Sequence, residues 1–132
     1  MNTIGVMIRK MDIQENGKKL NPSSKNLNKQ IKTLHGKLKK NDKEITTSYV
    51  IEKDKYKGRF HTHLLINYND DQNLYNHLSR FVGGNSWEER KEGLETIYGC
   101  NGKYGEVDTH FIYDEVGFLR YMNIEGITEI LI

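Results

Sequence analysis

Two apolar stretches joined by a short polar segment constrain the fold of this chain most strongly. The stretches are EITTSYVIEK at residues 44–53 and RFHTHLLIN at residues 59–67, and both are rich in the β-branched and aromatic residues typical of strands. The segment between them, DKYKG, is short and ends in glycine, so it predicts a tight turn. The chain should therefore fold around an antiparallel hairpin.

Helical and strand patterns alternate along the rest of the chain. Residues 85–103 are ambiguous, and within them WEERKEG could form a helical turn and LETIYG a strand. The order of elements predicts an α+β fold, one domain over residues 1–132, in which a central antiparallel sheet of four to five strands is flanked by helices. The other predicted elements are a strand over 3–9, a helix that Ser23 or Ser24 caps and that carries Leu27, Ile31, Leu34 and Leu38 on one face, a helix from Asp70 or Asp71 through Phe81, a strand over 105–114 and a helix after Asp114.

Charge is distributed unevenly along the chain. The net charge is only +2, but residues 18–43 contain nine lysines and one acid, Asp42. These lysines form either a solvated helix face or a surface that contacts phosphates. The single cysteine excludes an internal disulfide, and no apolar run approaches the roughly 20 residues that span a bilayer. We therefore expect an intracellular protein with no membrane partner.

The strand RFHTHLLIN carries two histidines on one face. Side chains alternate along a strand, so His61 and His63 point to the same side of the sheet. If residues 55–58 form the loop, Glu52 lies opposite His61 and Val50 lies opposite His63. A shift of one residue would turn Glu52 away and leave the histidines as an ordinary surface pair. In the predicted register, Glu52, His61 and His63 converge as three ligands for a divalent cation.

A tyrosine in the predicted third helix is the second chemical candidate. Tyr121 lies in GFLRYMNIEG, after a predicted strand and the capping residue Asp114. Gly117 precedes it by four residues on the same helical face, which would let a bulky group approach the phenol. The alternative interpretation is a packed aromatic side chain, since the chain contains eight tyrosines.

Together these motifs resemble the HUH endonuclease superfamily, and most closely the nicking domains of rolling-circle replication initiators (Rep). YVIEKDKYKGRFHTHLLI is similar to the metal motif, in which a strand glutamate precedes a His-x-His pair. YDEVGFLRYMNIEG is similar to the tyrosine motif, and TIGVMIRK occupies the place of the first strand motif. Two positions depart from the pattern. Thr62 stands where a hydrophobic residue is usual, and Ile124 stands where a lysine usually follows the tyrosine.

The resemblance implies a fold, a cofactor and a reaction. The fold is the Rep-type, ferredoxin-like sheet. Glu52, His61 and His63 would hold Mg²⁺ or Mn²⁺, and Tyr121 would attack a phosphate of single-stranded DNA at an origin, a hairpin included, to form a 5′-phosphotyrosine link. Such nicking and joining initiates rolling-circle replication of a virus or plasmid, in the cytoplasm of a prokaryotic host or the nucleus of a eukaryotic one.

Basic and aromatic side chains near these motifs are candidates for DNA contacts. Arg120 or a basic residue of the turn after Asp54 could replace the missing lysine. The lysine-rich first helix could also follow phosphates, and Trp87 and Tyr104 could stack on bases. The residues assigned to DNA binding are Lys55, Tyr56, Lys57, Arg59 and Arg120.

Two other functions fit the same residues. A non-catalytic Rep-like protein that binds an origin or operator without cutting would tolerate Ile124. A single-tyrosine HUH transposase would be of similar length. The chain contains no Walker A sequence, so unwinding would come from a host helicase or from a longer protein of which this chain is a fragment. A host polymerase is another candidate partner. The apolar ending GITEILI could be a last strand, a cut point or a dimer contact, so an oligomer is one of the expectations.

Overall fold

The computed structural model describes residues 1–54, 59–112, 114–126 and 128–132. The predicted α+β class, an antiparallel sheet flanked by helices, is confirmed. No helix in the described part of the chain is long and apolar enough to cross a membrane. In chain order the elements are β1 (Asn2–Lys10), β2 (Asp12–Ile13), β3 (Lys19–Leu20), α1 (Ser24–Asn41), β4 (Thr46–Lys53), β5 (Phe60–Tyr68), α2 (Asp71–Val82), β6 (Glu88–Glu92), β7 (Glu95–Gly102), β8 (Gly105–Phe111), α3 (Glu115–Glu125) and β9 (Glu129–Leu131).

One sheet organises the structure, in the order β6-β7-β8-β1-β5-β4-β9, and every neighbouring pair is antiparallel. The strands β8-β1-β5-β4 are connected through α1 and α2 in the split β-α-β-β-α-β pattern of ferredoxin-like sheets. This order makes β1 and β5 the central strands. Within the described ranges, the short strands β2 and β3 form a separate two-stranded sheet.

Among the described residues the sheet has seven strands, more than the four to five expected from the sequence. The additional strands, β6 and β9, lie at the two edges. The helical turn expected in WEERKEG is wrong, because Glu88–Glu92 forms β6. Its residues favour a helix, but Gly93 adopts a φ of 62° and closes a tight turn that pairs β6 with β7.

The helices α1 and α2 pack on one face of the sheet. Both begin where the sequence predicts, because the side chain of Ser23 accepts the N–H of Asn26 and that of Asp70 accepts the N–H of Asn73. α2 ends at Gly83, which has a left-handed φ of 70°. The core of this layer includes Ile4, Val6, Ile8, Ile31, Leu34, Leu38, Leu64, Ile66, Leu74, Leu78 and Val82.

The third helix, α3, packs on the opposite face of the sheet. Its Met122 is fully buried and contacts Val50 of β4 and Leu65 of β5. The carboxylate of Asp114 accepts the N–H of Gly117, as the predicted cap requires, and a Cβ on that glycine would collide with the carboxylate. Glycine at position 117 therefore leaves room for the Asp114 carboxylate that caps the helix. Val50 lies on the same face of the sheet as Glu52, and Leu65 lies on the same face as His63. The third helix, α3, therefore packs beside the predicted ligands.

Candidate metal centre and nucleophile

The hairpin of β4 and β5 has the register that the sequence predicts. Glu52 lies opposite His61 and Val50 lies opposite His63. Beyond the last paired residues, the N–H of Asp54 donates to the carbonyl of Arg59 over 2.7 Å, which holds the hairpin closed up to the loop. Alternation along β5 then leaves both histidines on the face that α3 covers.

The three predicted ligands converge. Glu52 Oε2 lies 3.0 Å from His61 Nε2 and 3.6 Å from His63 Nε2. The two imidazole rings meet edge to face, 4.8 Å between centroids. One donor atom from each of the three residues lies within 4.8 Å of the other two. His61 is buried, and the other two ligands are partly accessible.

This donor set fits a divalent cation. Two imidazole nitrogens and one carboxylate oxygen on neighbouring strands supply three ligands and leave other positions for water or phosphate oxygens. Nitrogen donors suit Mn²⁺ better than Mg²⁺, which prefers oxygen ligands. Of the two cations that the motif resemblance implies, the residues present therefore favour Mn²⁺.

A second carboxylate, which the sequence reasoning missed, contacts the other nitrogen of His61. Asp54 Oδ1 lies 2.5 Å from His61 Nδ1, and Asp54 Oδ2 lies 3.7 Å from Arg9 Nε. The contact to Nδ1 is close but lacks the alignment of a hydrogen bond, since Nδ1 has no hydrogen-bond partner among the described residues. A carboxylate in this place fixes the ring of a metal-binding histidine. The sequence signal was the spacing of two between Glu52 and Asp54, which puts both on one face.

Tyr121 of α3 lies next to this cluster. Its ring centroid is 5.8 Å from that of His63, with the planes at 85°, and 6.4 Å from that of Phe118. The side chain is 44% exposed, so it reaches solvent at the edge of the cluster. Glu52, the two histidines and Tyr121 are thus neighbours in space, although α3 is distant from the hairpin in sequence.

The residues assigned to DNA binding are only partly described. Arg59 directly precedes β5, and alternation puts it on the same face as His61. Arg120 is exposed on α3, and Ile124, at the position of the usual lysine, is 83% exposed. Lys55, Tyr56 and Lys57 lie outside the described residues.

Two aromatic residues expected to stack on bases lie away from this cluster. Trp87 packs against the main core, and its ring meets that of Tyr75 at 4.7 Å. Tyr104 lines a groove beside α1 and α2, on the opposite side of the sheet. The α1 lysines lie on that opposite side as well. None of these residues can contact a phosphate bound between His63 and Tyr121.

The sheet surface from β8 to β6, on the face of the metal ligands, is rich in acids. Arg90 donates to both carboxylate oxygens of Asp108, over 3.0 and 2.9 Å, and to Glu92 over 3.0 Å. Arg9 contacts Glu106 at 3.4 Å in addition to Asp54. Both arginines are therefore neutralised by carboxylates. This part of the surface offers little attraction to a DNA backbone.

No protein-family model, no curated protein and no solved structure matches this chain. The function must therefore be inferred from the geometry of the site and from the motifs.

Proposed function

We propose that this chain is a HUH-type endonuclease that nicks and rejoins single-stranded DNA through Tyr121. The observation that carries the proposal is the approach of the Tyr121 ring to within 5.8 Å of the His63 ring, beside the Glu52–His61–His63 ligand set. The 44% exposure of Tyr121 leaves its ring accessible to a DNA phosphate from solvent. A phenol next to a three-ligand cation site is suited to attack on phosphorus.

The reaction exchanges one phosphate ester for another. The phenol oxygen of Tyr121 forms a bond to phosphorus, and the bond from phosphorus to the 3′ oxygen of the preceding nucleotide breaks. The phenol proton passes to solvent, and the leaving oxygen takes up a proton to become a free 3′-hydroxyl. Because the new bond retains the energy of the phosphodiester, the reverse reaction can rejoin DNA without ATP.

Besides Tyr121, four side chains have two roles in this proposal. Glu52, His61 and His63 would hold the cation, Mg²⁺ or Mn²⁺, which when bound withdraws charge from the scissile phosphate. Asp54 would fix the orientation of the His61 ring through its contact with Nδ1. All of these residues belong to or adjoin a paired hairpin, which keeps their relative positions fixed.

The distribution of charge indicates where the DNA strand would lie. The acids from β8 to β6 disfavour a path over that half of the sheet, whereas Arg59, by strand alternation, and the exposed Arg120 of α3 add positive charge on the ligand side of the sheet. A phosphate bound between α3 and the hairpin requires a bent, unpaired backbone. These features support single-stranded DNA as the substrate.

The biological role that fits such chemistry is the initiation of rolling-circle replication of a virus or plasmid. A nicked origin supplies the 3′-hydroxyl that a polymerase extends, and a host helicase would separate the strands. The protein would act where that DNA replicates, in the cytoplasm of a prokaryotic host or the nucleus of a eukaryotic one.

The proposal is tested by incubating the protein with Mn²⁺ and a mixed set of single-stranded oligonucleotides, followed by a denaturing gel. We expect shortened DNA and a slowly migrating band of DNA attached to protein. Tyr121→Phe should abolish that band while Mn²⁺ binding is retained, and Tyr104→Phe, on the other side of the sheet, should leave the band unchanged. If the covalent band persists in Tyr121→Phe, another residue is the nucleophile.

One observation favours a second candidate, a Rep-like protein that binds an origin or operator without cutting it. Ile124 occupies the position at which the resembled motif has a lysine, and its apolar side chain cannot steady charge at the phosphate. For this candidate the same incubation yields a shifted band on a native gel and no covalent product.

A further inference from the structure

A groove lies on the side of the sheet opposite the metal ligands. It has a volume of about 820 Å³, which is in the range of small-molecule and nucleotide sites. The end of β1, the strand β2, the exposed sides of α1 and α2 and the turn between β7 and β8 form its walls. We call it the basic groove, after the lining residues Lys10, Lys29, Lys37, Arg80, Phe81 and Tyr104.

Positive charge dominates this groove. Among the described residues that line it, four cationic side chains, from Lys10, Lys29, Lys37 and Arg80, face one carboxylate, that of Asp12. Asp12 is already engaged, since its Oδ1 atom lies 3.6 Å from the Lys10 ammonium and accepts from Gln30 over 3.2 Å. The described part of the groove therefore has a net positive charge that Asp12 does not balance.

Several lysines of α1 lie where they repel one another. α1 contains six lysines and no acidic residue. Lys25 and Lys29 are four residues apart, and Lys29 and Lys32 are three apart, and such like-charge pairs destabilise a helix. Lys29 and Lys37 are about two turns apart, so they lie on the same side of α1, and both line the groove. An anionic ligand would offset this repulsion.

Two aromatic rings stand beside these charges. The Lys10 ammonium lies 5.2 Å from the centre of the Phe81 ring and 5.4 Å from that of the Tyr104 ring. The backbone of Tyr104 is fixed at both ends, because its N–H donates to Val82 over 2.8 Å and its carbonyl accepts from Met11 over 2.7 Å. The Tyr104 ring is partly exposed and already in place for contact with a flat ligand.

Fixed aromatic rings among lysines and arginine are the pattern that binds unpaired nucleotides, since the cations hold phosphates and the rings stack on bases. We propose that the basic groove is a second binding site for single-stranded nucleic acid, in which Lys29, Lys37 and Arg80 hold the backbone and Tyr104 stacks on a base. The sheet separates this site from Tyr121, so it can be filled while the metal centre is filled or empty. The inference does not depend on the proposed nicking activity.

The test measures binding of a fluorescent 20-nucleotide single strand by anisotropy in the presence of EDTA, where no metal-dependent cleavage occurs. Lys29→Ala/Lys37→Ala should weaken binding about tenfold and lower the slope of log affinity against log salt by about 1.4, since each phosphate contact on a single strand contributes about 0.7. Tyr104→Ala should weaken binding about tenfold, and Tyr104→Phe should bind like the unaltered protein.

The matched control is Lys25→Ala/Lys40→Ala, which removes the same charge from the same helix outside the groove. The proposal is supported if this control retains most of the affinity. Equal losses in the two double variants, or no loss in Tyr104→Ala, would overturn it by showing diffuse attraction in place of a site.

Two competitors identify the ligand class. Polyglutamate that displaces the labelled strand as well as unlabelled DNA does would show a site for acidic peptides and contradict the proposal. A nucleoside monophosphate that binds as tightly as the 20-nucleotide strand would show a site for a free nucleotide and contradict it as well. Displacement by unlabelled single strands alone supports it.

Discussion

Asp54 Oδ1 lies 2.5 Å from Nδ1 of His61, while Glu52 Oε2 lies 3.0 Å from Nε2 of the same ring. The imidazole is thus held between two carboxylates that come from one strand end and project to one face. Arg9 lies 3.7 Å from Asp54 and offsets part of the negative charge. Asp54 therefore supports the candidate metal centre, although it is not one of the three ligands.

Replacing Asp54 should weaken metal binding. In Asp54→Ala, the His61 ring loses the group that fixes its orientation, so we expect the affinity for Mn²⁺ to fall about 10- to 100-fold. Isothermal titration with Mn²⁺ measures the change. Glu106→Ala is the matched control, because Glu106 also contacts Arg9 but is not among the ligands. If Asp54→Ala binds Mn²⁺ as tightly as that control, the supporting role is wrong.

The identity of the cation gives a second prediction. Because two of the three donors are imidazole nitrogens, the covalent DNA product should form at a lower concentration of Mn²⁺ than of Mg²⁺. EDTA should abolish the product, and added Mn²⁺ should restore it. A titration of each cation into metal-free protein, read on a denaturing gel, checks the order. A lower requirement for Mg²⁺ would contradict the assignment of both histidines as ligands.

The ligand set could be predicted from the sequence because its geometry is local. A short loop fixes the register of the hairpin, and strand alternation then decides which side chains share a face. The edge strand Glu88–Glu92 could not be predicted in this way. All of its residues are exposed, so no apolar alternation marks it, and its strand conformation depends on pairing with Glu95–Gly102.

The short distance between Tyr121 and His63 also could not be predicted from the sequence. The pattern after Asp114 predicts a helix, but the place where α3 docks depends on the contact of Met122 with Val50 and Leu65. Likewise, the sequence suggested Tyr104 as a DNA contact without giving its side of the sheet. Only the strand order and the packing of α1 and α2 put it opposite the metal ligands.

A buried histidine predicts how stability depends on pH. Burial lowers the pKa of His35 below its ordinary 6.5, and the neighbouring Lys39 adds to this effect. The folded state therefore favours the neutral ring of His35. The stability that His35 contributes is fully present above pH 6.5 and is lost as the pH falls through the lowered pKa. Urea unfolding should show a free energy of unfolding that decreases as the pH falls below 6.5.

The variant His35→Gln should reduce this pH dependence, since it removes the titrating group. Thr47→Val is the control, because Thr47 Oγ1 lies 2.9 Å from His35 Nδ1 and the substitution removes that hydrogen bond but leaves the ring. We expect it to lower stability across the pH range and to retain the decrease in acid. If the free energy of unfolding of His35→Gln decreases in acid as steeply as that of the unaltered protein, other groups cause the pH dependence.

The attachment of α3 to the sheet links stability to catalysis. Met122 is the fully buried side chain that joins this helix to Val50 and Leu65, and Tyr121 precedes it directly. Met122→Ala leaves a cavity at that contact and should cost about 2 kcal/mol, the low end for such a substitution, because the cluster is small and can collapse. The loss should loosen α3 more than the sheet.

Tyr121 would then be displaced from His63 while the hairpin keeps its register. For Met122→Ala we therefore expect formation of the covalent DNA product to slow by at least tenfold, with Mn²⁺ affinity unchanged, because the ligands lie on β4 and β5 and not on α3. Met122→Leu, which nearly conserves volume, should retain most of the rate. A loss of Mn²⁺ affinity equal to the loss of rate would show that α3 and the hairpin unfold together. If Met122→Ala forms the covalent product at the full rate, the position of Tyr121 beside His63 does not matter for the reaction.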